Sequence, residues 1–237
     1  MSTLLLRLAG PMQSWGVQSR FEIRDTMMEP SKSGVIGLVC AALGRDRKEP
    51  IDDLAALRMG VRIDREGEMR RDYHTACDVA IASGGTPKAC QPSVRHYLAD
   101  ARFLVGLESD DRALLERIAD AFLDPCWPIF LGRKSFVPGE PVVRFDTRHD
   151  AEHGPLRDEP MWDLFQAYDW PAGRRGSASS KELRCMMEAG ISTAMDSVLR
   201  ITRPDQPISF EPRRYGLREI DVFYVHRIAE EVVNVSE

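Results

Sequence analysis

The chain has 237 residues and a mass of 26.8 kDa, which suits one large domain or two small ones. A hydrophobic fraction of 43% and a charged fraction of 29% exclude a disordered or collagen-like chain. The net charge of −5 argues against a nucleic-acid partner. The longest apolar run, 34–43, is too short to cross a bilayer, and Arg7 interrupts the apolar amino-terminal stretch. We therefore expect a soluble cytoplasmic protein with no signal peptide and no membrane partner.

Basic charge is unevenly spread along the chain. Residues 1–48 carry a net charge of +3, whereas residues 149–237 carry −5. The chain has 27 arginines and only five lysines. The guanidinium group of arginine binds phosphate through two N–H groups and stacks on bases. A GC-rich coding bias would, however, give the same excess of arginine over lysine. Because a ligand responds to the local field, the first 48 residues are the place to look for an anion site.

Cysteine and histidine spacing gives no sign of a metal site. The five cysteines are widely spaced and form no C-x-x-C pair, which is typical of reduced, individually packed thiols: Cys40, Cys77, Cys90, Cys126 and Cys185. The five histidines likewise show no ligand spacing. We predict neither a metal nor a cofactor.

The first half of the chain predicts alternating strands and helices. A buried strand at 3–9 precedes a long polar loop, and Ser33 begins a helix that Gly44 closes. There follow, in chain order, a short helix and strand within 54–64, a partner strand at 69–75, a projecting hairpin or flap at 76–99, a strand at 101–107 and an amphipathic helix at 110–123. This order predicts an α+β fold with the βαββαβ pattern of a ferredoxin-like sandwich.

The second half of the chain is interrupted by proline and glycine. Its predicted strands lie at 142–145, 197–202 and 220–227. We interpret 169–181, with its glycines and serines, as a flexible excursion, and 230–237 as a solvated acidic tail.

The start of the first helix is the strongest candidate for an anion site. A cation such as Lys32 at a helix amino terminus opposes the macrodipole, unless an anion docks there among free backbone N–H groups. Six other residues around it carry a hydroxyl, guanidinium, amide or indole group that could contact a phosphate or a base: Gln13, Trp15, Arg20, Arg24, Ser31 and Ser33. The alternative, in which Trp15 packs on the domain and the arginines are solvated, fits the sequence equally well.

A second glycine-led loop follows the apolar run 129–131. Gly132 there precedes Arg133 and Lys134, which could meet a second anion, although a surface turn also fits. Neither this loop nor Lys32 matches G-x-x-x-x-G-K-[ST], so the sequence does not predict a P-loop nucleotidase.

Several motifs in order along the chain resemble the CasD family of type I-E CRISPR Cascade subunits, within the RAMP superfamily. They are L-R-L-A-G-P-M-Q-S-W-G (6–16), R-x-T with P-S-K-S-G-V-I-G-L (24–38), D-Y-H-T (72–75), L-G-R-K-S (131–135), and R-P-D-Q-P-I with P-R-R (203–214). The resemblance implies an RRM-like ferredoxin core at 1–148, with a β-hairpin thumb at about 76–100. It also implies a strand-rich extension at 149–237, within which 149–196 would be a flexible insertion.

The resemblance also implies a function. A subunit of this family binds crRNA without catalysis, caps its five-prime handle, and links the backbone subunits to the large PAM-recognising subunit. It reaches target DNA through the assembled complex, in antiviral defence. Five residues at the base of the thumb become candidate RNA contacts: Tyr73, His74, Arg95, His96 and Tyr97.

The sequence leaves two other functions open. Some relatives from another CRISPR subtype cleave precursor RNA without a metal, which needs a general base and an acid at the scissile phosphate. His96, Tyr97 and His74 would be the candidates for that endoribonuclease activity. Adjacent strand residues point to opposite faces, however, so we expect no catalysis. The third possibility is a protein-interaction adaptor with no RNA contact.

Overall fold

The computed structural model describes residues 1–17, 23–80, 84, 87–143, 154–168, 182–191 and 197–226. Its strands are β1 (Ser2–Ala9), β2 (Met12–Gln13), β3 (Ile23–Arg24), β4 (Arg58–Arg65), β5 (Glu68–Val79), β6 (Lys88–Ala99), β7 (Arg102–Ser109), β8 (Leu156–Arg157), β9 (Glu182–Glu188), β10 (Leu199–Phe210) and β11 (Arg213–His226). Its helices are α1 (Lys32–Leu43), α2 (Asp52–Ala55), α3 (Arg112–Leu123) and α4 (Met161–Ala167). None of the helices in these ranges is long and apolar enough to cross a membrane.

A seven-stranded antiparallel sheet lies at the centre of the protein, in the order β10-β11-β9-β4-β7-β1-β8. Its strand β1 is buried on both faces. Leu4, Leu6 and Leu8 join a core that also includes residues of α1 and α3, whereas Leu5 joins a second core with α4. Burial on both sides explains why the sequence of β1 is almost continuously apolar. The predicted α+β class is confirmed, and the strands are mostly antiparallel.

Both long helices begin at a side chain that accepts a backbone hydrogen bond. The hydroxyl of Ser31 accepts from the Gly34 N–H at 3.3 Å, so α1 is capped at Ser31 and the predicted cap at Ser33 is wrong. Gly44 ends α1 with a φ of 72°, as predicted. The carboxylate of Asp111 caps α3, and the predicted amphipathic helix there is confirmed.

A second sheet is built around a long hairpin formed by β5 and β6. The strands β2 and β3 pair with the other edge of β6, near its inner end. Most side chains of β5 are exposed, so the hairpin extends away from the central sheet. The predicted strand at 69–75 is confirmed, but its partner is β6 and not the preceding strand β4, because these residues pair with β6 from Glu68 onwards and belong to the hairpin. Their alternating pattern reflects the two faces of an exposed ribbon.

Three carboxy-terminal strands extend the central sheet beyond β4. The predicted strands at 197–202 and 220–227 correspond to the start of β10 and the end of β11, and the two strands continue into a long hairpin. Residues 142–143, predicted to begin a strand, form a bend, although the first of them accepts a backbone hydrogen bond from Arg7 at 2.6 Å. The rest of that predicted strand lies outside the described residues.

The segment 149–196, predicted as a flexible insertion, contributes three elements to the fold, the first of which is the short strand β8, paired with β1. The helix α4 buries Trp162 and Phe165 on the sheet face opposite α1 and α3. The strand β9 pairs with both β11 and β4 inside the central sheet. The described parts of this segment are therefore structural. The stretch 169–181 and the acidic tail 230–237 lie outside the described residues.

Candidate nucleic-acid interface

The amino terminus of α1, predicted to hold an external anion, is occupied by a carboxylate of the protein itself. Asp205 Oδ2 accepts a hydrogen bond from the backbone N–H of Lys32 at 2.8 Å. Both oxygens of Asp205 also bind the Arg218 guanidinium, at 2.7 and 3.0 Å. Lys32 Nζ donates to Glu188 Oε1 at 2.7 Å, and the Lys32 side chain is only 3% exposed. An anion does lie at the positive end of the helix dipole, but it is the Asp205 carboxylate of the same chain. Lys32 is therefore no longer a candidate RNA contact.

These buried charges attach the start of α1 to three carboxy-terminal strands. Glu188 lies at the end of β9, Asp205 on β10 and Arg218 on β11. Burial acts to raise the pKa of Asp205, but the hydrogen bonds and charge of Arg218 outweigh it, so this pKa is lowered. Burial lowers the pKa of Lys32, with the charge of Glu188 opposing it. These four largely buried charges therefore hold a helix from the first half of the sequence against strands from the second half.

Lys32→Met should therefore destabilise the protein and leave its RNA affinity unchanged. Methionine keeps the length of the side chain but removes the cation, so Glu188 loses its cationic partner in a largely buried site and keeps the hydrogen bond from the Met59 backbone N–H. Breaking such a pair costs about 3 kcal/mol of unfolding free energy. Urea unfolding measures the cost, and RNA titration of the folded variant measures the affinity. A loss of affinity of about tenfold or more would return Lys32 to the RNA site.

The other candidates around the start of α1 are also buried. Ser31 serves as the helix cap, and Ser33 is buried beside it. Trp15 is 1% exposed, and its Nε1 donates to Gln13 Oε1 at 3.2 Å. Gln13 Nε2 in turn donates to two backbone carbonyls, at 2.9 and 3.2 Å. The alternative in which Trp15 packs on the domain is confirmed, and the proposed stacking and base-reading roles are withdrawn. Arg20 lies outside the described residues.

Three arginines meet at the inner end of the hairpin, and we call Arg24, Arg95 and Arg133 the arginine cluster. Arg95 on β6 lies directly opposite Arg24 on β3. Burial, and then the positive charges of Arg95 and Arg24, lower the pKa of Arg133, which places the three guanidinium groups within electrostatic range of one another. The opposing effect of Asp72 and Asp25 is smaller. Since arginine stays protonated in proteins, the cluster concentrates positive charge.

Arg133 is held in the cluster by backbone groups and by an aromatic ring. It donates hydrogen bonds to the carbonyl oxygens of His96, at 2.7 Å, and of Arg24, at 3.3 Å. Its guanidinium carbon lies 5.4 Å from the centre of the Phe136 ring. The guanidinium is thereby fixed at the junction of β3 and β6, where it joins two strands that are distant in sequence.

The glycine-led loop that carries Arg133 depends on Gly132. Gly132 has a φ of 96°, and a Cβ there would lie 1.7 Å from the carbonyl oxygen of Ser14. Only glycine permits this approach. The loop predicted as a second anion site therefore packs against the segment that follows β2, with Lys134 exposed next to it.

The hairpin candidates divide between its two faces, because directly opposed residues of paired strands share a face. His74, Arg95 and Tyr97 lie on one face, and Tyr73 and His96 lie on the other. Tyr97 packs against a core ring, with 5.9 Å between centroids, whereas Tyr73 is 71% exposed. Of these five, Arg95 is the one that the structure brings into the arginine cluster.

The same geometry separates the groups considered for catalysis. His74 and His96 lie on opposite faces of the hairpin, and so do His96 and Tyr97. Tyr97 shares a face with His74, but their positions differ by four residues along the ladder, or about 13 Å. None of these pairs can serve as base and acid at one phosphate. In the described ranges, no three or more His, Cys, Asp or Glu side chains are grouped to hold a metal ion.

A cleft of about 410 Å³ adjoins the arginine cluster. The exposed side of α1 forms one wall, where a Cβ at Gly37 would meet nothing within 4 Å. Gly132, the neighbour of Arg133, also lines the cleft. The buried residues Trp15, Ser31 and Ser33 line its floor, and its other arginine and aromatic lining residues are Arg45, Arg47, Trp127, Phe130, Phe210, Arg213 and Tyr215. Guanidinium groups beside aromatic rings are typical of sites for single-stranded nucleic acid.

Sequence reasoning indicated Trp15, Ser31 and Ser33 on one side of this cleft, but not the arginine and aromatic residues that line the rest of it. Trp127 follows α3, whereas Arg213 and Tyr215 begin β11, so no local spacing connects them. The P-R-R motif at 212–214, which belongs to the family resemblance, is the signal that points to Arg213. Arg45 is engaged by Asp53 through two hydrogen bonds, which leaves Arg47 and Arg213 as the more accessible cations of the cleft.

Comparison with known proteins identifies the family. The family model for CRISPR-associated protein Cas5 matches residues 3–228. The CRISPR system Cascade subunit CasD of Escherichia coli (strain K12) is 36% identical over 235 residues, covering 92% of this chain and 94% of CasD. A crystal structure of a Cas protein is 38% identical with a TM-score of 0.71, covering 95% of both chains. A chain of a CRISPR RNA-guided surveillance complex is 34% identical with a TM-score of 0.73, covering 96% of this chain and 91% of that one. The resemblance seen in the sequence is confirmed, and the chain belongs to the CRISPR-associated Cas5 family.

Proposed function

We propose that this chain is a non-catalytic crRNA-binding subunit of a type I-E Cascade complex in antiviral defence. The observation that carries the proposal is the arginine cluster, which adjoins a cleft of arginine and aromatic side chains. Arginine binds phosphate with two N–H groups, and aromatic rings stack on bases. The relative CasD is a Cascade subunit, and one structural match belongs to an RNA-guided surveillance complex.

We infer that the fold contains the ferredoxin-like core of the RAMP superfamily. The support is the chain order β1-α1-β4-β7-α3-β8, together with the sheet order β4-β7-β1-β8 in which each neighbouring pair is antiparallel. In this assignment the second, third, first and fourth strands of a βαββαβ unit lie side by side. The fourth strand, at 156–157, lies just beyond the core boundary that the sequence predicted at 148. The hairpin of β5 and β6 is inserted between the second and third strands.

We propose that the RNA strand runs from the arginine cluster into the cleft. The backbone at Gly132 connects the two, because this residue lines the cleft and precedes Arg133. In this path the cluster binds phosphates, while Trp127 and Tyr215 offer rings to bases. Lys134 lies exposed beside the path, where it can add a further phosphate contact.

We further propose that the opposite face of the hairpin contacts the neighbouring backbone subunit, as a thumb. Ile23, Val94 and Tyr73 are register partners across β3, β6 and β5. Ile23 is 61% exposed and Tyr73 is 71% exposed, so apolar surface faces outward there. With RNA on one face and protein on the other, the chain would cap the five-prime handle. It would also link the backbone to the large PAM-recognising subunit, and through the assembled complex to target DNA.

RNA binding by the purified chain tests the proposal. We expect a single-stranded RNA carrying the CRISPR repeat to bind more tightly than a scrambled RNA of equal length, as measured by fluorescence anisotropy. The logarithm of affinity should fall linearly with the logarithm of salt concentration. Equal affinity for both RNAs would contradict recognition of the handle. Failure to bind either RNA would favour the protein-interaction adaptor.

The non-catalytic role has its own test. Repeat RNA incubated with the chain in EDTA should remain intact, because the described histidines and tyrosine are not placed as an acid and base pair. Denaturing gel electrophoresis of the RNA provides the measurement. Cleavage at one position in the repeat, lost in His96→Ala or His74→Ala, would establish the endoribonuclease instead.

A further inference from the structure

Two cysteines lie directly opposite each other on the hairpin. Cys77 on β5 and Cys90 on β6 are register partners, and both are exposed free thiols. The sequence-based expectation of individually packed thiols is therefore wrong for this pair. All five cysteines of the chain lie in the described residues. Of these five, Cys77 and Cys90 are the two that face each other as partners in a strand ladder.

The ladder brings the two residues within the range of a disulfide. Directly opposed residues of antiparallel strands have Cα atoms about 4.5 or 5.5 Å apart, and their side chains share a face. Disulfides join Cα atoms that are about 4.4–6.8 Å apart. We propose that Cys77 and Cys90 form a reversible disulfide when the chain meets a peroxide.

The reaction balances with one equivalent of hydrogen peroxide. One thiolate attacks the peroxide and breaks the O–O bond, which gives a sulfenic acid and one water molecule. The opposing thiolate then displaces the sulfenic oxygen as a second water molecule and forms the S–S bond. The two thiols lose two electrons and two protons in all, and a dithiol reductant restores them.

The other three cysteines are less suited to this reaction. Burial raises the pKa of Cys40 to about 11 and that of Cys185 to about 12, so few of these thiols are ionised at neutral pH. Cys126 is exposed, but it lies in the segment after α3 and beside Gly44, away from any strand ladder. Oxidation should therefore select the hairpin pair.

The disulfide would act on the part of the hairpin that has least support from the rest of the fold. The strand β2 pairs with β6 at residues 98–99, and β3 pairs with it at residues 94–95, both towards the inner end of β6. Beyond them the ribbon is two-stranded around Cys77 and Cys90, and two-stranded ribbons are marginally stable alone. A link between these residues fixes the register of the outer ribbon. This proposal rests on the ladder and not on RNA binding.

Trypsin separates the two cysteines, which makes the link directly measurable. Cleavage after Arg71, Lys88 and Arg95 places Cys77 in the peptide 72–88 and Cys90 in the peptide 89–95. After brief treatment of the dilute chain with hydrogen peroxide, we expect these two peptides to appear as one linked species. Its mass should lie about 2 Da below the sum of the two, and dithiothreitol should abolish it.

Two variants make the result specific. Cys126→Ser should form the linked species as the unaltered chain does, whereas Cys77→Ser should lose it entirely. The proposal is overturned if peroxide leaves the two peptides unlinked while converting them to higher oxides, or if Cys77 or Cys90 links instead to Cys126 or to a second chain. The unaltered chain alone distinguishes these outcomes, so the test does not depend on the folding of a variant.

Discussion

Asp64→Ala should lower the free energy of unfolding by about 3–5 kcal/mol. Asp64 Oδ2 accepts from Arg7 at 3.0 Å, and its Oδ1 accepts from Arg62 at 2.8 Å. The three side chains are at most 4% exposed. The substitution would leave two buried guanidinium groups without this carboxylate, and burying charge without its counter-ion is costly.

The effect should extend to α4. Arg62 also donates to the backbone carbonyls of Phe165, at 2.8 Å, and Tyr168, at 2.9 Å, which lie at the carboxy-terminal end of that helix. The cluster thus connects β1 and β4 to a helix that the sequence did not predict. We expect amide hydrogen exchange in α4 to accelerate in the variant, because the carbonyl contacts weaken when Arg62 repositions.

An exposed ion pair provides the matched control. Glu68 binds Arg70 at the start of β5, with both side chains at least 60% exposed. Glu68→Ala should leave the free energy of unfolding nearly unchanged, because solvent screens such pairs. Urea unfolding monitored by circular dichroism measures both variants. Similar, small losses in the two variants would contradict the buried role of Asp64.

Replacing all three residues of the arginine cluster by alanine should weaken binding of single-stranded RNA at least about 100-fold near 0.1 M salt. Each lost phosphate contact also removes about 0.7 from the slope of log affinity against log salt. The triple variant should therefore lose about two units of slope. Anisotropy titrations at four salt concentrations provide both quantities.

The control for this prediction removes positive charge elsewhere on the surface. Arg112 and Arg117 lie on the exposed side of α3, outside the cluster and the cleft. Their double alanine variant should retain nearly all of the affinity and the slope. Arg24→Ala provides a milder variant, because its side chain is exposed and its backbone carbonyl still accepts from Arg133. Equal losses in the cluster and control variants would show that only net charge matters.

Elements with a strong local pattern could be predicted from the sequence. The apolar run of β1, the stripe of α3, and the glycine that closes α1 each act within a few residues of the chain, and the structure confirms them. In contrast, α4 has seven residues, too few for a clear helical period, and β9 lies in a segment whose neighbours are rich in glycine and serine.

The candidate site was harder to predict, because its contacts cross the whole chain. The dipole argument correctly required an anion beside Lys32, but the carboxylates that supply it lie 156 and 173 residues away. Likewise, Arg24 and Arg95 meet only because β3 pairs with β6 in one register. Residue type indicated Arg24, Arg95 and Arg133 as candidate RNA contacts in three separate parts of the sequence, and the fold brings them together. Burial, which no local pattern revealed, removed Gln13, Trp15 and Lys32 from it.

The central claim is that RNA contacts the inner end of the hairpin and the adjoining cleft. Photocrosslinking of 4-thiouridine-substituted crRNA within the assembled complex, followed by peptide mass spectrometry, tests it most directly. We expect crosslinks on this chain in the peptides that carry Arg95, Arg133 and Trp127, and in the first residues of β11. Crosslinks confined to α3 or the outer hairpin, or found only on the other subunits, would contradict the claim.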